Sequence, residues 1–226
     1  MLQKTNAKEY LMKEVTIRDV EADDLPEIKK LIDDAWDFGD LFESEASLDT
    51  ALGLYFNQVL YDSSFGKAAV LDGKVVGVIF GYVNGQAPKF RMMLEDPAGH
   101  IVSLLNMTKD ERQNVKEFMT KLNGVYSELI DDKIDGYDGT LDFLVISQEA
   151  QGLKIGRKLW DELSAYFKET KAGSIYVFTD TECNFGFYEH IGFSRKGQRQ
   201  MTYFFTDEKL DVDVYLYDYK FDKHSA

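Results

Sequence analysis

Gln151-Gly152-Leu153-Lys154-Ile155-Gly156-Arg157 follows an apolar run, Leu141-Asp142-Phe143-Leu144-Val145-Ile146. It precedes a segment in which Leu159, Trp160, Leu163, Tyr166 and Phe167 recur on one helical face. Small residues at a strand-to-helix junction let backbone N–H groups converge on an anion, and the helix macrodipole adds to the attraction. Gly152 and Gly156 flank Lys154, while Arg157 and Lys158 occupy the first helical turn. A cation there is disfavoured by a few tenths to ~1 kcal/mol, so a bound anion would turn a local penalty into attraction. The stretch has neither the Gly-Lys-Ser/Thr of a Walker loop nor the Gly-x-Gly-x-x-Gly of a dinucleotide fingerprint.

Downstream of the junction, Ile175-Tyr176-Val177-Phe178 reads as a buried strand. Asn184 to Ile191 then reads as a short helix stopped by Gly192. Met201 to Thr206 and Val212 to Phe221 read as closing strands. In the second, Val212, Val214 and Leu216 alternate with Tyr215, Tyr217 and Tyr219, which predicts two differently lined faces. Upstream, Val15 to Val20 is a short strand. Asp23 and Asp24 cap a helix with Pro26 in its first turn and an apolar stripe of Leu25, Ile28, Leu31, Ile32 and Trp36. An acidic stretch, Asp37 to Glu45, leads to a second helix through Leu48, Leu52, Tyr55, Phe56 and Val59. Asp72-Gly73-Lys74 between two apolar runs predicts a β-hairpin. From Gly85 to Gly139 the alternation breaks, and the capping box Thr108-Lys109-Asp110-Glu111 opens a helix carrying Val115, Phe118, Met119, Leu122, Val125, Tyr126 and Leu129. These readings predict an α/β fold, a mixed sheet with helices on both faces. They assign residues 1–226 to one domain, with a helical insertion at about 85–139.

The chain of 226 residues carries a formal charge of -14 with 44% apolar residues. That balance supports a packed core and argues against a nucleic-acid backbone as partner. A cationic, amine-bearing substrate suits the acidity. Cys183 is the single cysteine, so no internal disulfide forms and a reducing compartment is expected. No signal peptide and no membrane-spanning run is evident, which predicts a cytoplasmic protein with no membrane partner. His100, His190 and His224 lack ligand spacing, so no metal is expected. The Tyr-rich closing strand offers a surface for a homodimer.

The order of strand, Gln151-Gly152-Leu153-Lys154-Ile155-Gly156, amphipathic helix, strand and Tyr188-Glu189-His190-Ile191-Gly192-Phe193 resembles the GNAT superfamily of acyl-CoA-dependent N-acetyltransferases. The family motif reads Gln/Arg-x-x-Gly-x-Gly/Ala. Gln151 and Gly156 match it, and Lys154 stands where the middle glycine would be. The likeness is strongest over Leu141 to Phe193 and leaves the 85–139 insertion uncovered. It implies a mostly antiparallel sheet splayed at the fourth strand, with the insertion between the third and fourth strands. It further implies acetyl-CoA as co-substrate. The pyrophosphate would lie on the amides of Gln151, Gly152, Leu153, Lys154, Ile155, Gly156 and Arg157, and the pantetheine arm along Leu144, Val145 and Ile146. Tyr188 would protonate the departing thiolate. Thr181 occupies the position where the family commonly has an asparagine, so Asn184 is expected to contact the cofactor or cap the short helix.

The activity implied is transfer of an acetyl group to a primary amine of a small cationic acceptor, by direct attack in a ternary complex. Asp142 is the first choice of general base, with Asp37, Asp40 and Glu43 available to attract the amine. The insertion is expected to shape or cover the acceptor site. A non-catalytic acyl-CoA-binding sensory module is the rival reading.

Overall fold

The computed structural model describes residues 14–36, 42–131, 133–204 and 209–221. The strands are β1 (Thr16–Asp19), β2 (Phe65–Leu71), β3 (Lys74–Val83), β4 (Gly139–Ile146), β5 (Ser174–Asp180), β6 (Ser194–Phe204) and β7 (Lys209–Lys220). They form one sheet in the order β1-β2-β3-β4-β5-β7-β6. Every neighbouring pair is antiparallel except β4 and β5. The helices are α1 (Leu25–Trp36), α2 (Glu45–Asp62), α3 (Pro97–Asn106), α4 (Lys109–Ile130), α5 (Ile155–Glu169) and α6 (Gly186–His190).

Local chemistry sets these elements. Asp72 and Gly73 both take positive φ, 53° and 79°, so a two-residue turn joins β2 to β3 with the twist that a hairpin needs. Thr108 accepts from the Glu111 amide at 3.2 Å while the Glu111 carboxylate accepts from the Thr108 amide at 2.8 Å, closing the expected box at the start of α4. Glu111 also receives the hydroxyl of Ser44, the N-cap of α2. Thr50 and Ser103 join α2 to α3 at 2.7 Å. The two helices between β3 and β4 are therefore fastened to α2 by side-chain hydrogen bonds.

Apolar packing falls into three groups. Ile155, Leu159, Leu163 and Phe167 of α5 pack with Ile79, Leu141, Ile175 and Val177 on one face of the sheet. On the other face, Ile28 and Ile32 of α1 and Phe56 of α2 pack on Val78, Phe80 and Phe143. The third group joins Val115, Phe118 and Leu122 of α4 to Val212, Val214 and Leu216 of β7. The alternation predicted for the closing strand holds, since Tyr215 and Tyr217 pack with the α5 group instead. Those two tyrosines are buried, and β7 lies between β5 and β6, so the Tyr-rich strand is interior to the sheet and offers no edge for self-association. The strand β6 begins at Ser194, seven positions before the apolar run predicts. Arg195, Lys196 and Arg199 mask it, charged residues of the kind that guard an outer strand against further pairing.

Candidate active site

The parallel neighbours β4 and β5 pair only at Gly139–Ile175 and Thr140–Tyr176. On its other side, β4 continues its ladder with β3 as far as Ile146. The two strands thus diverge, and from Leu141 to Ile146 the edge of β4 facing β5 has no ladder partner among the described residues. Backbone groups in such an edge need hydrogen bonds from elsewhere, and an extended amide-bearing chain can supply them. This is the splay implied by the family resemblance.

At the end of β4 the chain turns through a single 3-10 turn, Gln148–Ala150, into the junction. Gly152 takes φ 84° and Lys154 φ 60°, both in the left-handed region. Lys154 therefore adopts the backbone conformation that glycine would supply at its place in the motif, at a cost of about 1 kcal/mol for an L-residue. The first main-chain bond of α5 runs from the Lys158 amide to the Lys154 carbonyl at 3.1 Å. Among the described residues, the amides of Gly152, Lys154, Ile155, Gly156 and Arg157 find no protein acceptor. A Cβ on Gly156 would stand 2.9 Å from Ile146 Cδ1 and 3.3 Å from the Phe187 ring. Glycine there allows the start of α5 to press against β4 and α6. Arg157 is paired with Asp161 at 2.9 Å, while Lys154 is exposed.

Asp142 is placed by an irregularity in the β3–β4 ladder. Phe80 pairs with Phe143 and Gly81 with Leu141, so Asp142 is an extra residue, a β-bulge that re-aims its side chain. Its carboxylate accepts from the Ser63 hydroxyl at 3.3 Å. Burial, assisted by the negative charge of Asp62 and opposed by the Ser63 bond, pushes its carboxyl up to about 7. The phenols of Tyr82 and Tyr176 are raised by burial and by the facing Asp142 charge. Ser63, Tyr82 and Tyr176 carry no motif in the sequence and become visible as partners of Asp142 only in three dimensions.

Tyr188 sits on α6 at 7% exposure, its ring packed against Phe187, Phe193 and Tyr217. Burial above all, and then the charges of Cys183, Asp180 and Tyr55, hold its hydroxyl far above the ordinary phenol range. It therefore keeps its proton at neutral pH. Burial, with Asp180 beside it, likewise raises the Cys183 thiol and keeps it un-ionised, which suits packing rather than nucleophilic attack.

One cleft of about 1140 Å³ gathers these groups. Its lining includes Asp142, Leu144, Val145, Ile146, Gln151, Gly152, Lys154, Ile155, Gly156, Arg157, Asn184 and Tyr188. Leu153 is the exception, since its side chain turns inward onto the α5 core. Asn184 lines the cleft but does not cap α6. The N-cap is Phe185, without a side-chain hydrogen bond, because the turn at Cys183–Phe185 is instead tied by the Asp180 carboxylate to the Glu182 and Cys183 amides at 3.0 Å each. Glu43 is exposed and does not line the cleft, and Asp37 and Asp40 lie outside the described residues. The far wall of the cleft, unread in the sequence, contains Trp36, Tyr55, Phe118, Tyr126 and Phe178.

Residues 101–205 match a family model described as an acetyltransferase (GNAT) domain. No curated protein sequence matches the chain. Among solved structures, an N-acetyltransferase from Staphylococcus aureus Mu50 is similar with a TM-score of 0.50 and 12% identity, over 92% of this chain and 98% of its own. A protein from Streptococcus mutans UA159 is similar with a TM-score of 0.51 and 13% identity, over 91% and 98%. A protein from Acinetobacter baylyi ADP1 gives a TM-score of 0.51 and 14% identity, over 93% and 94%. At such identities the structures speak for the fold, and the fold agrees with the matched domain. The splayed seven-stranded sheet and the Gln151–Gly156 junction agree with the match of residues 101–205 to the GNAT acetyltransferase domain model.

Proposed function

We propose that this protein transfers the acetyl group of acetyl-CoA to the nitrogen of a primary amine, by direct attack with both substrates bound. The observation that carries this reading is the single cleft in which the open edge of β4, the acceptor-free amides of the junction, Asp142 and Tyr188 all meet. The residues suit the co-substrate. Residues Leu144–Ile146 offer an unpaired strand edge to its amide-bearing arm, and the amides of Gly152 to Arg157 with the Lys154 cation offer donors to its phosphates. When bound, acetyl-CoA supplies an activated thioester.

The chain then supplies proton traffic and placement. Asp142, with its carboxyl near 7, takes the proton that the acceptor nitrogen must shed. The new bond joins that nitrogen to the acetyl carbon as the carbon–sulfur bond breaks, and the sulfur leaves with the bonding pair. Tyr188 holds its hydroxyl proton in reserve for that thiolate. Burial of both groups excludes water, which would compete as nucleophile. The helix α4 closes the acceptor side, since its Phe118, Leu122 and Tyr126 stand in the cleft wall.

Calorimetric titration with acetyl-CoA followed by a thiol-release screen over amines tests the proposal. Saturable binding and amine-dependent thiol release are expected, and Tyr188→Phe should retain binding while losing turnover. Binding without thiol release for any amine would instead identify an acyl-CoA-binding module without catalysis.

A further inference from the structure

The wall of the cleft opposite the junction is aromatic. Trp36 of α1, Tyr55 of α2, Phe118 and Tyr126 of α4, Phe143 of β4 and Phe178 of β5 all line it. Ring contacts recur among them. Trp36 and Tyr55 lie 5.8 and 6.2 Å from Phe143, Tyr55 lies 6.5 Å from Phe118, and Tyr126 stacks on Phe178 at 4.2 Å with 3° between the planes. Trp36, Tyr55, Tyr126 and Phe178 are only half-buried.

Among the described residues, four carboxylates line the same cleft, those of Asp62, Asp142, Asp180 and Glu182. Asp180 is held by the Glu182 and Cys183 amides and by the Trp36 side chain. Asp62 and Glu182 are exposed. Among the lining residues described, Asp142 alone brings a carboxylate into the interior without a backbone commitment. One interior acid in a cleft with an aromatic wall matches one amine attached to an apolar, planar body. A polyamine would need several anions spaced along its length, whereas the described interior of the cleft holds only Asp142 and the amide-bound Asp180.

Resting on the acetyltransfer reading above, we infer that the acceptor is an arylalkyl monoamine, its ring seated against Trp36, Tyr55, Tyr126 and Phe178 and its nitrogen directed to Asp142. Ring-on-ring packing supplies the discrimination, because an apolar pocket separates substrates by about 10–200-fold for a single methylene and an aromatic face presents far more area.

The test compares kcat/KM for 2-phenylethylamine and tryptamine with that for spermidine, glucosamine and an alanine-initiated peptide, at saturating acetyl-CoA. The arylalkylamines should exceed the others by at least about 10-fold. Tyr126→Ala should raise KM for 2-phenylethylamine by about 10-fold or more while leaving the KM of acetyl-CoA unchanged, with Tyr126→Leu as the milder variant if alanine lowers the melting temperature. Preference for spermidine, glucosamine or the peptide would overturn the inference and leave acetyltransfer standing. Thiol release from no amine at all, with acetyl-CoA still bound calorimetrically, would overturn the acetyltransfer reading itself and this inference with it.

Discussion

The two ends of the cleft are built in different ways. The end facing α5 is made of main chain, with positive φ at Gly152 and Lys154 and, among the described residues, amides without protein acceptors at Gly152 and from Lys154 to Arg157, all inside seven consecutive residues. The end facing α2 and α4 is made of side chains from five elements, drawn together from Trp36 to Phe178. A backbone site depends on a short stretch taking one shape, so many side chains can surround it. A side-chain site depends on distant segments meeting, so single substitutions retune it. The contrast predicts a donor end tolerant of sequence change and an acceptor end that sets selectivity.

The strongest break of that contrast is Asp142→Asn. Loss of a general base typically costs 10²–10⁴-fold, so kcat/KM should fall by at least about 100-fold with acetyl-CoA affinity retained. In the parent protein kcat/KM should rise with pH through about 7 as Asp142 sheds its proton, and the variant should lack that inflection. The same group gives a stability signature. Its carboxyl titrates higher in the fold than in the unfolded chain, so its contribution is complete below the unfolded value near 4 and is lost as pH rises through about 7. Melting temperature should therefore favour the Asn variant above pH 7 and show little difference near pH 4.

Tyr188→Phe comes next, with an expected loss in kcat of about 100-fold and an unchanged dissociation constant for acetyl-CoA. An equal loss in both would mean that Tyr188 only packs α6. At the donor end, Gly156→Leu should weaken acetyl-CoA at least about 10-fold, because even a Cβ there meets Ile146 at 2.9 Å and the start of α5 must shift. Acceptor KM should move much less.

The smallest effect is expected from Lys154→Gly. Relief of the left-handed strain, about 1 kcal/mol, is offset by the greater freedom of glycine in the unfolded chain, about 0.4–1 kcal/mol, so melting should shift by a few degrees at most. Acetyl-CoA should bind about 2–5-fold more weakly, as befits one lost surface charge, and that difference should vanish in high salt. A difference that persists in high salt would show that Lys154 acts through shape rather than charge.

Legibility in the sequence follows the same division. The junction, the hairpin at Asp72-Gly73 and the Thr108–Glu111 box are written in contiguous residues whose backbone chemistry is local, and each holds. The mostly antiparallel pairing of the sheet and its splay came through resemblance, since β4 and β5 are joined across a whole helix and no local pattern reports how far they pair. The polar start of β6 was hidden by its charges. The aromatic wall stayed invisible because each ring reads singly as ordinary core, as Tyr126 does on the stripe of α4. Of the two roles open to Asn184, the cap is not formed, because Asp180 ties the turn before α6 and no local pattern reports that.

The bulge at Asp142 has a consequence for how such a protein can change over time. Leu141 and Phe143 face opposite sides of the sheet and pair with the adjacent residues Gly81 and Phe80. The extra residue between them can thus be removed without altering the facing of any other residue in the strand. A chain lacking Asp142 should keep its circular-dichroism spectrum and its affinity for acetyl-CoA while releasing no thiol. The enzyme and an inert cousin that only senses acyl-CoA would then stand one codon deletion apart.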